Sequence, residues 1–520
     1  MQTGGVGATL KAYPVKGETG MFTRSSGVLL HITSLPGPYG CGTFGGGARS
    51  FIDFLAESGF SWWQVLPFSP PDLGNSPYTA YSAFAGNPIM IDPALLHQQG
   101  LITGEELEEA AAMNDPYTVR FDQVIPARMK LLRTAYGRAQ PALRRKIAGF
   151  AEDEPWVRSY GLFMALKAQY QGLPWYAWPD GRIRMYRPDA VAQAMNQLAG
   201  PVDFQIFIQY CFFTQWRALR TYARERGIGI IGDMPIYMSL NSADVWANQH
   251  LFALKDGRPE AVAGVPPDAF TDEGQLWGNP LYDYKAMAAD GYAWWLERIG
   301  KALASFDAVR IDHFRGFSAY WSVPAGAKSA REGHWVKGPG LKLFKRVADR
   351  FPDAPIIAED LGVLDEDVHT LREKTGYPGM RVMQFAFAPG NGPHLPHNYP
   401  VNAVAYTGTH DNNTTLGWLW ESPEQVRSYA CRYAGLEGPW QEGGPHSPAC
   451  RAMMRCLWQS PASLAIVPFQ DIMGWGEDTR MNRPGVAEGC WAVRIGPDAL
   501  GQADRSWLRQ LNLDFERTGK

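Results

Sequence analysis

Cysteine is scarce: six residues in a chain of 520, none of them in a CxxC pair. Scattered thiols of this kind neither build a disulfide framework nor repeat at a metal-ligand spacing, and they fit a cytoplasmic protein. No apolar stretch approaches the ~20 residues that a membrane helix needs, so no membrane association is expected. Long basic runs are missing and the net charge is −3, which leaves nothing to attract nucleic acid or anionic lipid. Residues 1–20 are rich in Gly and Thr and lack the apolar core of a secretory signal; they read as a flexible leader.

Aromatic residues, by contrast, are plentiful: 13% of the chain, with 19 tryptophans. Most rings of a globular protein belong to its core. A surplus in loops is also what a sugar site uses, because pyranose faces are apolar and stack on rings.

Eight short apolar runs bounded by turn residues can be counted, at 27–32, 62–66, 229–232, 308–311, 356–358, 380–387, 403–407 and 464–467. Helical patterns separate most of them, at 47–57, 204–226, 292–305, 341–350, 365–374 and 448–459. In the last of these Ser447 is placed to cap and Pro448 to open the helix. Strands alternating with helices pair in parallel, and eight such units predict a (β/α)8 TIM barrel of the α/β class, spanning 21–498. The barrel is interrupted twice. Residues 68–200 carry helix-like patterns at 104–113 and 156–170 and are expected to form a mostly helical subdomain. Residues 236–290 are rich in Pro, Gly and Asp with little periodicity and are expected to be a lid and binding loop. The tail 499–520 reads as helical and is too short for a C-terminal β-sandwich domain.

Three acids stand just past three of the strands: Asp312 after the fourth, Glu359 after the fifth and Asp411 after the seventh. Barrel enzymes build their sites at this end of the sheet. Several carboxylates together suit glycosidic bond cleavage, in which one attacks the anomeric carbon and another protonates the leaving oxygen. Adjacent strands four and five make Asp312 the candidate nucleophile and Glu359 the candidate acid/base. Arg310, two residues before Asp312 on the same strand face, is expected to keep that carboxylate ionised. Asp411 is placed to bond sugar hydroxyls or distort the ring, with His410 gripping a hydroxyl beside it. Asp233, at the end of strand three, completes an acidic ring. Any one such acid is as easily a helix N-cap; all four being caps is a much poorer reading. A metal at His410 and Asp411 finds no His or Cys partner at ligand spacing, so neither metal nor other cofactor is expected. His313 reads as structural.

Two loops look like sugar-binding surface. SPYTAYSAFAGNP carries Ser76, Tyr78 and Tyr81; GVPPDAFTDEGQLWGNP carries Asp268, Phe270, Gln275 and Trp277. Rings among amides and carboxylates can stack on a sugar and bond its hydroxyls, although Tyr78 and Trp277 could instead simply anchor their loops.

VRIDHFRGF, IIAEDLG and YTGTHDN resemble the catalytic segments of the α-amylase superfamily. SPYTAYSAFAGNP, GDMPIYMSLNSADVW, GVPPDAFTDEGQLWGNPLYDY and FQDIMGWGEDTRMNRPG narrow the resemblance to the amylomaltases, which are 4-α-glucanotransferases. It runs from about Arg24 to about Pro484, and 487–497 lies beyond it. The resemblance implies Asp312 as nucleophile, Glu359 as acid/base and Asp411 as transition-state stabiliser. It implies that Arg310, His410 and Asp233 bind sugar or orient those groups. Tyr78 and Trp277 would lie near the cleavage subsites, and Asp268 in a loop that folds over bound glucan. The implied substrates are maltooligosaccharides and α-1,4-glucans, and the implied protein is a monomer or weak homo-oligomer. A retaining α-glucan hydrolase on the same barrel is the alternative, since the acids serve both. A glucan-binding scaffold is disfavoured by the presence of all three.

Overall fold

The computed structural model describes residues 21–72, 74–112, 114–267, 272–362, 364–388, 390, 392–486 and 488–519. Asp268 and Phe270 and the leader 1–20 lie outside them.

Eight parallel strands form one sheet: β1 (Ser25–Leu29), β2 (Trp62–Gln64), β3 (Gly229–Met234), β4 (Ala308–Ile311), β5 (Ile356–Ala358), β6 (Gly379–Val382), β7 (Ala403–Tyr406) and β8 (Leu464–Pro468). The ladder runs β5-β4-β3-β2-β1-β8-β7-β6. The seam between β5 and β6 is closed differently. The Ala358 N–H donates to Pro378 O at 3.0 Å, and the Met380 N–H donates to the Asp360 carboxylate at 2.6 Å. A Cβ on Gly379 would sit 2.3 Å from that carboxylate, so this seam requires glycine. The sixth apolar run is shorter as a strand than its sequence suggests. After Val382 the chain turns into a 3-10 helix, Met383–Phe387.

Strand residues alternate between two cores, as the period of two demands. Leu29, Trp62, Ile231, Ala308, Ile357, Val404, Tyr406, Leu464 and Ile466 form an inner cluster. Their neighbours Val28, Trp63, Ile230, Val309, Ile356, Ala405 and Ala465 pack outward under the helices. Both faces are buried, which explains the nearly continuous hydrophobic runs. Gly46–Glu57, Ala293–Ser305, Leu341–Arg350 and Pro448–Gln459 each lay an apolar face on the barrel. Ser447 caps the last by accepting from Cys450 N–H, with Pro448 in the first turn. The turn at Gly45 that opens Gly46–Glu57 is tight because Asp92 fills the space where a Cβ of Gly45 would go.

Between β2 and β3 the chain forms a run of helices, among them Phe121–Gly137, Pro141–Asp153 and Trp156–Gln169, before the long Ala199–Glu225 returns to the barrel. The second insertion is more ordered than its sequence suggests. Ala261–Val265 and Gln275–Pro280 join Ala319–Pro324 and His334–Lys337 in a four-stranded antiparallel sheet. Half of that sheet comes from the loop after β4, so only one of its three pairings lies within 236–290 alone. The C-terminal helix Arg505–Asp514 is tied beneath the barrel: Arg517 donates to Ser25 O at 3.1 Å. Among the described residues no helix is long and apolar enough to cross a membrane.

Candidate active site

The inward-facing rows of β3, β4 and β5 begin with Ile231, Ala308 and Ile357. Continued by steps of two, they reach Asp233, Arg310 then Asp312, and Glu359. The barrel interior therefore changes from apolar to charged at the strands' C-terminal ends. Register fixes the neighbours. Asp233 pairs with Arg310 across β3 and β4, and Ile311 pairs with Ala358 across β4 and β5. Asp312 and Glu359 are each one residue beyond that last pair. Neighbouring strands lie about 4.8 Å apart, close to the about 5–5.5 Å between carboxyl groups that a retaining mechanism uses.

Arg310 is the centre of the charged layer. One guanidinium nitrogen donates to both Asp233 oxygens, at 2.8 and 2.7 Å, and the other meets Asp312 at 2.8 Å. Burial opposes its charge, but Asp233 and Asp312 hold it protonated more firmly than usual. Tyr78 donates its hydroxyl to Asp233 at 2.8 Å; burial and that carboxylate keep the phenol protonated. Ser76 sits two residues earlier, its hydroxyl accepting from Tyr78 N–H at 3.3 Å.

Glu359 accepts one peptide N–H on each oxygen, from His313 at 2.7 Å and Leu361 at 2.8 Å. Burial nevertheless raises it, against Arg310 and those two bonds. Asp312 departs from the sequence-based expectation. Arg310 does favour its ionised form, yet desolvation, helped by the charges of Asp233, Glu359 and Asp411, outweighs it and raises Asp312 above the usual carboxylate range. The two carboxyl groups thus hold a shared proton more firmly than isolated carboxyls would.

Asp411 stands on the loop after β7. Buried Asp471 clamps both ends of that loop, accepting from Thr407 Oγ1 at 2.6 Å and from Thr415 N–H at 2.6 Å. Thr414, not Asp411, caps the next helix, and Asp365, not Glu359, caps the helix after β5. His410 Nε2 lies 3.3 Å from Asp411. Burial lowers its imidazole below the usual value, although Asp411 opposes the shift.

Three further residues were not assigned from sequence. Asn482 donates to Asp411 Oδ1 at 2.6 Å, and Arg480 donates to Asp411 O at 2.8 Å. Both belong to FQDIMGWGEDTRMNRPG, so the signal was present without a role attached. Trp491 lies in 487–497, where sequence offered none. It is in a left-handed conformation (φ 67°) and packs on both Tyr78 and His410, centroids 5.7 and 5.9 Å away. Tyr78 and His410 themselves stack at 5.1 Å.

Trp277 and Gln275 share one face of a strand of the antiparallel sheet, the indole N–H donating to Gln275 at 3.0 Å. Trp277 meets His313 edge to face, centroids 4.8 Å apart. The structure thus gathers Tyr78, Asp233, Arg310, Asp312, Glu359, His410 and Asp411 at one end of the barrel. It brings Trp277 alongside through His313.

Residues 30–498 match the family model described as 4-alpha-glucanotransferase. The chain is 45% identical to a 4-alpha-glucanotransferase of Thermus thermophilus over 95% of this chain and 99% of that one. It is 42% identical to one of Streptococcus pneumoniae over 96% and 98%. The amylomaltase from Streptococcus agalactiae, solved with acarbose, superposes with a TM-score of 0.91 at 37% identity, over 95% of this chain and 99% of that one. The chain belongs to the 4-alpha-glucanotransferase family.

Proposed function

We propose that this 4-alpha-glucanotransferase works by double displacement, with Asp312 as nucleophile, Glu359 as acid/base and Asp411 as transition-state stabiliser. An Asp312 oxygen attacks the anomeric carbon of an α-1,4-glucan. The glycosidic C–O bond breaks, and the leaving oxygen takes its electron pair and the Glu359 proton. The β-glucosyl ester on Asp312 is then attacked by the 4-hydroxyl of an acceptor glucan or glucose. That hydroxyl gives its proton to Glu359, and the ester electrons return to Asp312.

The observation that carries this reading is the placement of Asp312 and Glu359 one step past the paired Ile311 and Ala358. Their protonation supports it too. With the proton on Glu359, one of the like charges that raise Asp312 is removed, and Arg310 at 2.8 Å then favours the Asp312 carboxylate. Asp233 and Tyr78 hold Arg310 in place. Ser76 supports Tyr78, His410 and Asp411 face the sugar hydroxyls, and Trp277 with Gln275 offers a stacking surface. Asp268 is assigned by resemblance alone.

The substrates we propose are maltooligosaccharides and longer α-1,4-glucans, with no nucleic-acid or membrane partner, for a cytoplasmic monomer or weak homo-oligomer. The six cysteines are all free thiols, five of them buried, in keeping with a reducing compartment.

Incubation with maltotriose tests the reaction. Transfer yields glucose together with a ladder of longer oligomers; shortening alone, with reducing ends rising, would overturn it. Mass spectrometry of a Glu359→Ala protein given an activated glucosyl donor should find the sugar on Asp312. Label on another residue would refute the nucleophile assignment.

A further inference from the structure

His313 lies immediately after the proposed nucleophile and has a left-handed backbone, φ 50°. That conformation is uncommon for a residue with a Cβ and persists only where its surroundings enforce it. Its consequence is local. The turn into the 3-10 helix Phe314–Phe317 aims the His313 N–H at Glu359 Oε2, 2.7 Å away, and the next N–H, of Phe314, at Glu359 O, 3.1 Å away. One side of the proposed acid/base is therefore held by the peptide that follows the proposed nucleophile. The His313 ring points the other way. It meets the indole of Trp277 edge to face at 4.8 Å, and Tyr237 lies 6.4 Å from it. Tyr237 and Trp277 are in turn 6.0 Å apart. The ring is thus gripped by the glucan-facing aromatic sheet while the backbone grips the carboxylate.

We infer that His313 is a positioning residue, whose peptide N–H sets the acidity of Glu359 and whose ring couples that peptide to Trp277. The inference rests on Glu359 being the acid/base. A peptide N–H stabilises the ionised carboxylate. Its partial withdrawal makes Glu359 a better-retained acid and a poorer leaving site for its proton. A sugar pressed on Trp277 can act on that balance without touching Glu359. The other charged groups facing Glu359 are Arg310 on β4, Asp312 just past it and Asp360 beside Glu359 itself.

The test is the pH profile of kcat/KM for maltotriose disproportionation in three variants. His313→Val resists the left-handed backbone. Its alkaline limb should move up by about one pH unit, the size expected for losing a hydrogen bond to a charged group. His313→Asn tolerates that backbone and should keep the limb where the wild type has it. Trp277→Leu should move the limb in the same direction as His313→Val by a smaller amount. If His313→Val loses activity with its limb unmoved, His313 is only structural. If Trp277→Leu leaves the limb in place, the coupling is overturned. Should His313→Val not fold, a His313→Asn limb displaced as far as that of Trp277→Leu overturns the backbone half. A Glu359→Ala protein with full activity would instead remove the reading on which all of this stands.

Discussion

Asn482 donates its side-chain amide to Asp411 at 2.6 Å, across 71 residues of chain. The two sit on the loops after β7 and β8, and Arg480 adds a bond to the Asp411 carbonyl. A carboxylate that acts on a developing charge must hold its orientation through the reaction. Asn482→Ala removes the bond that fixes Asp411 while leaving the rest of the site intact. A hydrogen bond to a charged group is worth about 1.5–3 kcal/mol. Steady-state kinetics on maltotriose should therefore show kcat reduced about 10- to 100-fold, with a smaller change in KM. A change confined to KM would place Asp411 in ground-state binding instead.

Arg310 bridges two carboxylates with a rigid fork, and Lys has only one point of charge to offer them. Arg310→Lys should lower kcat/KM about 100-fold, the scale of a misplaced catalytic group, even though the net charge is unchanged. Retention of near wild-type activity would show that charge, not geometry, is what Asp233 and Asp312 require.

Asp312 and Glu359 share a proton that desolvation and neighbouring acids hold beyond the usual carboxylate range. The sign follows from linkage. Above the ordinary carboxylate range the unfolded chain releases this proton before the folded protein does, so stability falls as pH rises. Asp312→Asn removes one of the two carboxyls that must otherwise ionise side by side. Its melting temperature, compared with wild type by scanning fluorimetry, should gain on the wild type progressively from pH 5 to pH 8. A constant difference across that range would refute the shift.

Asp471 is buried and accepts from Thr407, the Thr415 N–H and the Thr415 hydroxyl. Asp471→Ala strands those donors. Each buried donor left unpaired costs about 1–3 kcal/mol, so the urea midpoint should fall clearly. Activity should fall further than stability alone explains, because the Asp411 loop loses its clamp. Unaltered kinetics in the folded variant would separate the clamp from the site.

Short-range pattern made much of this protein legible. Val, Ile and Ala runs bounded by Pro, Gly and Asp marked strands because buried parallel strands are apolar on both faces. Counting them placed Asp312, Glu359 and Asp411 just past strands four, five and seven. Parity along β4 put Arg310 and Asp312 on one face. What could not be read was pairing between distant segments outside the barrel's own strands. The antiparallel sheet that carries Trp277 is assembled from two separate loops. Asn482 and Trp491 reach the site from a stretch with no periodic signal. Asp312 was expected to be ionised from its one visible neighbour, Arg310, whereas its acidity answers to burial and to three acids on other strands. Local sequence determined which residues face inward, since that follows from a backbone period of two. The tertiary structure alone decided which of them meet and how they share their protons, because contact and desolvation depend on distance in space.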